Sequence, residues 1–228
     1  MIRMTIGAAL ALALAAPAAA EVVQSSPTHF VLRDSVTVKA SPKAAWLMLI
    51  EPAQWWEDAH TWSGKAANLS LVPQGGGCFC ERIPEKDSAV AVGLAGSAHH
   101  MTVVMAEPMK VLRMRGALGP LQSEPVDGVL TITMQQDKAS GGTRLVMEYV
   151  VGGHMRFEVA KISKAVDQVM STQLSRLGEK LVRVGATAEK PEAAAPSQRA
   201  STKPAPAKDS DDVGAALDAM GDTDGKPK

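Results

Sequence analysis

Seven runs with strand-type patterning, followed by one long helical stripe, predict an α+β domain. The expected architecture is a curved antiparallel sheet of about six or seven strands packed on a C-terminal helix. The stripe runs through Val159, Ile162, Val166, Val169/Met170, Leu174, Leu177 and Leu181, at three- and four-residue steps. The strands follow one another with Gly- and Pro-rich turns between them, which suits antiparallel neighbours. Such a sheet must cover its apolar face, and one long helix can do so.

The elements come in order. Phe30 to Lys39 alternates Phe30, Leu32, Val36 and Val38 with polar residues, as a half-buried strand does. Ser41-Pro42 then signals a helix, Ser as N-cap and Pro in the first turn, running from Lys43 to Ile50 and stopping before Pro52. Glu51 to Trp62 is expected as a second short helix or an ordered loop. Leu69–Val72, Cys78–Ile83, His99–Ala106, Lys110–Gly116, Val126–Gln135 and Thr143–Val151 are the remaining strands. The helix is expected from about Arg156 to Val184.

Both ends differ from this middle. Arg3, the apolar run Ile6–Ala16 and Ala18-Ala19-Ala20 before Glu21 match a secretory signal peptide cleaved after Ala20. The run is shorter than the roughly 20 residues a membrane span needs. From Gly185 to Lys228 the chain is rich in Ala, Pro, Ser, Lys and Asp and has no aromatic residue, so disorder is expected there. Its acidic end, with Val213, Leu217 and Met220 at helical spacing, is a candidate docking segment for a protein partner; a solvated tail is the simpler expectation. The expected organisation is therefore a signal peptide over 1–20, one domain over 21–184 and a tail over 185–228, in a periplasmic or secreted protein.

Composition excludes several classes. The 228 residues carry 24 Lys and Arg against 24 Asp and Glu, leaving no cationic excess to neutralise phosphates of a nucleic acid. Two cysteines cannot build a disulfide framework or a four-ligand zinc site. Gly75-Gly76-Gly77 lacks the Gly-Lys-Ser/Thr of a phosphate loop and is expected as a turn or bulge. No cofactor or metal site is expected.

Several motifs carry a resemblance. Trp55-Trp56, His60-Thr61-Trp62-Ser63-Gly64, Ala67-Asn68-Leu69, Gly76-Gly77-Cys78-Phe79-Cys80-Glu81 and the run Leu112 to Gln122 (L-R-M-R-G-A-L-G-P-L-Q) are similar to the bacterial branch of the START-like (SRPBCC) helix-grip superfamily, near its polyketide cyclase/dehydrase and heat-shock-ATPase-activator-homologue groups. The resemblance covers roughly Phe30 to Leu181. It implies a sheet wrapped around the C-terminal helix with a hydrophobic ligand cavity between them. The superfamily includes carriers, cyclases and hydrolases, and fold does not choose among them. The signal peptide, the tail and an insertion-like Asp87 to Ser97 set this chain apart from many relatives.

The candidate ligand-binding residues are Trp55, Trp56, His60, Trp62, His100, Met101, Leu112, Met114, Met134, Met147 and Tyr149. Flat indoles and a histidine close together suit a pocket mouth, an aromatic plug being the alternative. Methionine adapts its shape and lines apolar walls well, although ordinary core filling accounts for it too. Consecutive His99 and His100 on a strand face opposite sides, and His100 is the inward candidate. His60 and His100 are the candidate proton donors or acceptors, with no partner visible for either. Arg113 and Arg115 alternate with Leu112 and Met114 and are expected to face outward.

Cys78 and Cys80 point to one face of a strand, with Cα atoms about 6.6 Å apart at about 3.3 Å per residue. That lies at the upper edge for a disulfide, so buried thiols are the first expectation, with a disulfide or a redox role next and a nucleophile last. The leading functional expectation is an exported, non-catalytic carrier or sensor of a small hydrophobic molecule without stable membrane insertion. A cyclase- or hydrolase-type enzyme using the same cavity is the alternative, and an interaction module acting through the acidic tail is the third.

Overall fold

A computed structural model of the chain describes residues 21–85 and 93–184. The expected signal peptide, the tail and most of the expected insertion at Asp87 to Ser97 lie outside the described residues.

One antiparallel sheet of eight strands forms the domain, in the spatial order β1-β2-β8-β7-β6-β5-β4-β3. The strands are β1 (Glu21–Ser26), β2 (His29–Val38), β3 (Leu69–Leu71), β4 (Cys78–Ile83), β5 (Gly96–Glu107), β6 (Val111–Arg115), β7 (Val126–Gln136) and β8 (Thr143–Gly153). Helix α1 (Pro42–Leu49) follows β2, and helix α2 (Val159–Lys180) follows β8. The count exceeds the expected six or seven because β1 escaped notice. Its six residues, E-V-V-Q-S-S, have too short an apolar pattern to signal a strand, and a register shift between Val22 and Gln24 breaks that pattern further. Long-range pairing with β2 makes it a strand.

Local chemistry explains the other elements. Ser41 caps α1, its Oγ accepting from the Ala44 amide at 3.3 Å, with Pro42 at the first helical position. Glu51 to Trp62 contains only 3₁₀ turns at Pro52–Gln54 and Asp58–His60, since Pro52 denies a continuing helix its hydrogen bond. Helix α2 is shorter than expected at both ends. Val182 takes a left-handed φ of 60°, and the chain then runs extended beside β2. Lys39 N–H donates to Val182 O and Val184 N–H to Thr37 O, both at 2.8 Å, covering the part of β2 that β1 leaves unpaired.

The core lies between one face of the sheet and the helices. Phe30, Leu32 and Val38 of β2, Leu130 and Ile132 of β7, and Leu145, Tyr149 and Val151 of β8 are buried. Facing them are Leu49 of α1 and Met170, Leu174 and Leu177 of α2. Two polar residues of α2, Ser163 and Gln173, are also buried, so its inner face is less purely apolar than the stripe implied. Arg113 and Arg115 point outward, the first bonding Thr131 and the second paired with Asp127. Among the described residues, no helix is long and apolar enough to cross a membrane.

Candidate functional site

An apolar space closes between β4, β6, β7, β8 and α2, with the Trp55–Trp56 segment over it. Leu112, Met114, Met147 and Phe79 come from the sheet, and Met170, Leu174 and Leu177 from α2. Gln173 is the one polar side chain in its lining. The cavity holds about 20 Å³, room for roughly one water. Ligand pockets usually measure about 300–1,000 Å³, so an occupant has to widen this one.

The segment above the space is tied to α2 by polar contacts. Gln173 accepts from the Glu57 amide at 2.9 Å, and its Nε2 lies 3.0 Å from His60 Nδ1. Glu57 Oε2 also lies 2.9 Å from that nitrogen. Arg176 donates to Trp55 O at 3.0 Å, and Trp56 Nε1 donates to His60 O at 2.9 Å. Trp55 and Trp56 are both buried, with ring centroids 5.4 Å apart, and Phe79 continues the stack from Trp56. The Trp55 indole N–H is buried and has no acceptor. A buried donor left unmade costs about 1–3 kcal/mol, which marks this closed state as one that an acceptor would relieve.

Beside this space sits a second cluster, built on β4 and β5. The sequence C-F-C-E alternates, so Phe79 and Glu81 both point inward. Glu81 is fully buried and accepts from the Trp62 amide at 3.1 Å, the Ser63 amide at 2.5 Å and His100 Nε2 at 2.9 Å. Gln122 completes the cluster: its Nε2 lies 3.2 Å from His100 Nδ1, and its Oε1 accepts from Trp62 Nε1 at 3.3 Å. Burial lowers the His100 pKa against the opposing pull of Glu81, so the imidazole is neutral. Burial works to raise Glu81, but hydrogen bonds from Ser63, Trp62 and His100 outweigh it and hold the carboxyl below its usual range. The neutral ring therefore donates from Nε2 to an ionised Glu81 and accepts at Nδ1 from Gln122.

The expected site residues are thus divided. Trp55, Trp56, Leu112, Met114 and Met147 line the apolar space. His60 belongs to the strap above it, and His100 with half-exposed Trp62 to the second cluster. Met101, Met134 and Tyr149 are buried outside the lining. Tyr149 accepts from the Leu118 amide at 3.2 Å and lies 3.4 Å from Gly116 O; burial pushes its phenol pKa up. Glu81, Gln122 and Gln173 were not among the candidates. An inward Glu alternating with Phe79 was a readable signal for the first, whereas the other two depend on pairings across the fold.

Cys78 and Cys80 form a disulfide, correcting the expectation of buried thiols. Their Cα atoms stand 5.4 Å apart, closer than in an ideal strand and well inside the range a disulfide spans. The contraction coincides with a bulge, where Phe79 pairs with Met101 but Cys80 pairs with His99, skipping His100. Among the described residues, no group of three His, Cys, Asp or Glu side chains is placed to hold a metal ion.

No family model matches the chain, and no curated protein matches it. Solved structures do resemble it. An uncharacterised protein from Rhizobium leguminosarum shares 17% identity over 71% of this chain and 97% of its own, with a TM-score of 0.45. A protein of unknown function from Staphylococcus aureus shares 16% over 67% and 91%, with a TM-score of 0.45. A protein from Mesorhizobium loti shares 17% over 65% and 94%, with a TM-score of 0.44. Likenesses this distant assign no family and no activity to this chain.

Proposed function

We propose that the domain binds a small hydrophobic molecule carrying one hydrogen-bond acceptor, in the space between the sheet and α2. The observation that carries this reading is the buried Trp55 indole N–H, which has no acceptor although its residue lines the space beside Gln173 and the apolar side chains. A ligand acceptor would satisfy that donor, while Met114, Met147 and Met170 rearrange to admit the apolar body. Opening requires the Trp55–Trp56 segment to lift from its Gln173 and Arg176 ties. In this reading the fold is of the START-like helix-grip type, supported by the long C-terminal helix against one antiparallel sheet. Residues 1–20 are its export signal, supported by the apolar run and the small residues before Glu21.

Native mass spectrometry of the purified protein, compared with the denatured sample, tests binding. The expected result is a discrete extra mass that leaves on denaturation, together with a change in tryptophan emission when an apolar fluorophore is titrated in. A bare mass together with unresponsive tryptophan emission would sink the proposal.

A second reading, an acid–base enzyme in the same domain, has one observation in its favour. The Glu81–His100 pair is joined to the apolar space through Phe79, whose ring lies 5.2 Å from the imidazole and lines that space. Replacing His100 by Gln separates the two: ligand retention survives in a binding protein, and turnover of the retained molecule vanishes in an enzyme.

A further inference from the structure

The outer face of β4 carries a grouping that the apolar space does not use. Cys78 and Cys80 flank inward-pointing Phe79, so both sulfurs sit on the opposite, solvent-side face, and both residues are half-buried. Across the ladder, Cys80 is paired with His99 and Cys78 with Thr102. His99 is exposed, and its Nε2 lies 3.0 Å from Thr102 Oγ1, so the His–Thr pair spans the bulge directly opposite the disulfide. Cross-strand partners carry Cβ atoms about 5 Å apart, within reach of an imidazole. On its other side β4 meets only β3, a three-residue edge strand, with Ser70 opposite Cys80.

A structural staple explains this bond poorly. The cross-link joins residues two apart, so it removes little entropy from the unfolded chain, and the ladder already holds both residues in place. A half-buried position on the solvent-side face with an imidazole at the paired position is instead the setting of a disulfide that exchanges.

We propose that Cys78–Cys80 is a reversible thiol–disulfide exchange site whose co-substrate is a thiol, with His99 as the positioning residue that steadies the departing Cys80 thiolate. The thiolate of a first thiol attacks Cys78 Sγ. The Cys78–Cys80 bond breaks, its electron pair leaves on Cys80 Sγ, at the strand position paired with His99, and a mixed disulfide forms on Cys78. A second thiolate attacks the co-substrate sulfur of that mixed disulfide, releasing the oxidised co-substrate and the Cys78 thiolate. The two thiolates take up the two protons the thiols gave. Overall, one protein disulfide and two thiols become one protein dithiol and one new disulfide, a two-electron exchange that runs backwards with a disulfide oxidant.

The test uses the folded full chain, with free thiols counted by alkylation and mass spectrometry. One arm uses glutathione buffers of varied redox ratio; the other uses reduced thioredoxin, a protein dithiol. The expected result is reversible interconversion while near-ultraviolet circular dichroism stays native, and the faster arm identifies the source of the thiol. His99→Ala should slow reduction about fivefold or more, with His99→Lys restoring much of the rate by supplying positive charge beside the leaving sulfur. Reduction in neither arm until denaturant unfolds the chain would overturn the exchange site. An unchanged rate in His99→Ala would overturn the role of His99.

Discussion

Glu81 Oε2 and His100 Nε2 lie 2.9 Å apart with both side chains buried, one on β4 and the other at the bulge of β5. The bulge is what brings them together, because the extra residue turns His100 inward while His99 stays outside. Glu81 also collects the Trp62 and Ser63 amides, so one carboxylate fastens the loop after the tryptophans to the sheet. Gln122, from the turn after β6, closes the far side of the imidazole. Charge, tautomer and hydrogen bonds all agree, which makes the cluster a fixed frame beside the apolar space.

Glu81→Gln should therefore damage the loop more than the sheet. An amide has one acceptor oxygen and turns a donor NH₂ toward donors, so at least one buried N–H loses its partner. The expected cost is about 2–4 kcal/mol in urea unfolding, within the range for breaking a buried charged network. Hydrogen exchange should accelerate at the Trp62 and Ser63 amides first. Unchanged protection there would show that the carboxylate does not hold the loop.

The same pair sets a pH dependence. His100 has its folded pKa lowered, so the unfolded chain binds a proton more readily. Its contribution is complete above the ordinary histidine value of about 6.5 and is lost as pH falls through the lower folded value. Glu81 also has its folded pKa lowered; its contribution is present above the ordinary carboxylate value of about 4.3 and disappears on further acidification. Both groups act with the same sign. Denaturant titrations should thus show stability falling below about pH 6.5 and again below about pH 4.3, with the first component absent in His100→Gln.

How much of this was legible follows from where each signal resides. The β2 alternation, the Ser41-Pro42 start and the α2 stripe are local patterns, and they placed those elements within a few residues. Strand β1 was not legible, since only its pairing to β2 makes it a strand. On β5, period-two counting from buried Met101 and Val103 would turn Met105 inward, yet a second register shift, between Val103 and Met105, turns it out to 41% exposure. Period-two counting cannot survive an inserted residue. The same limit hid the disulfide, because the shortened Cys78–Cys80 spacing accompanies the other bulge. The Trp cluster was legible as a pocket mouth or an aromatic plug, and its ties to Gln173 and Arg176 come from a helix more than a hundred residues later in the chain.

Tyr149 and Gly128 make a close approach that has a sharp consequence. A Cβ on Gly128 would stand 2.3 Å from Gly116 O and 2.7 Å from the Tyr149 ring and hydroxyl. Gly116 lies one residue past β6 and is tied there by its N–H, which donates to Gly128 O at 2.9 Å, so its carbonyl moves only by disturbing that pairing. Gly128→Ala should cost about 2–3 kcal/mol, as overpacking of a tight core does. Tyr149→Phe should cost about 1–3 kcal/mol through the orphaned Leu118 amide alone. Thermal unfolding of the two variants and their double mutant checks both, and the double mutant should cost less than the sum because the hydroxyl clash is gone.

Asp167 on α2 is a place where replacing an acid should help. Burial raises its pKa, and the charge of Asp34 on β2 raises it further. Asp34 is itself raised by burial, against the Ser35 amide at 2.6 Å and the charge of Arg183. The nearby Ser171 hydroxyl also draws Asp34 down. A carboxyl raised on folding lends stability that is present below its unfolded value, near 3.9, and is lost as pH rises through the folded value. At neutral pH the ionised Asp167 therefore carries a cost without a partner. Asp167→Asn should raise stability at pH 7 by about 0.5 kcal/mol, solvent screening keeping the gain small, and the gain should vanish near pH 3. It should also shrink in an Asp34→Asn background, where the neighbouring charge is already absent. Urea unfolding at both pH values, on the two single variants and the double, reads out each part; destabilisation at pH 7 would mean that Asp167 accepts a hydrogen bond that outweighs its burial.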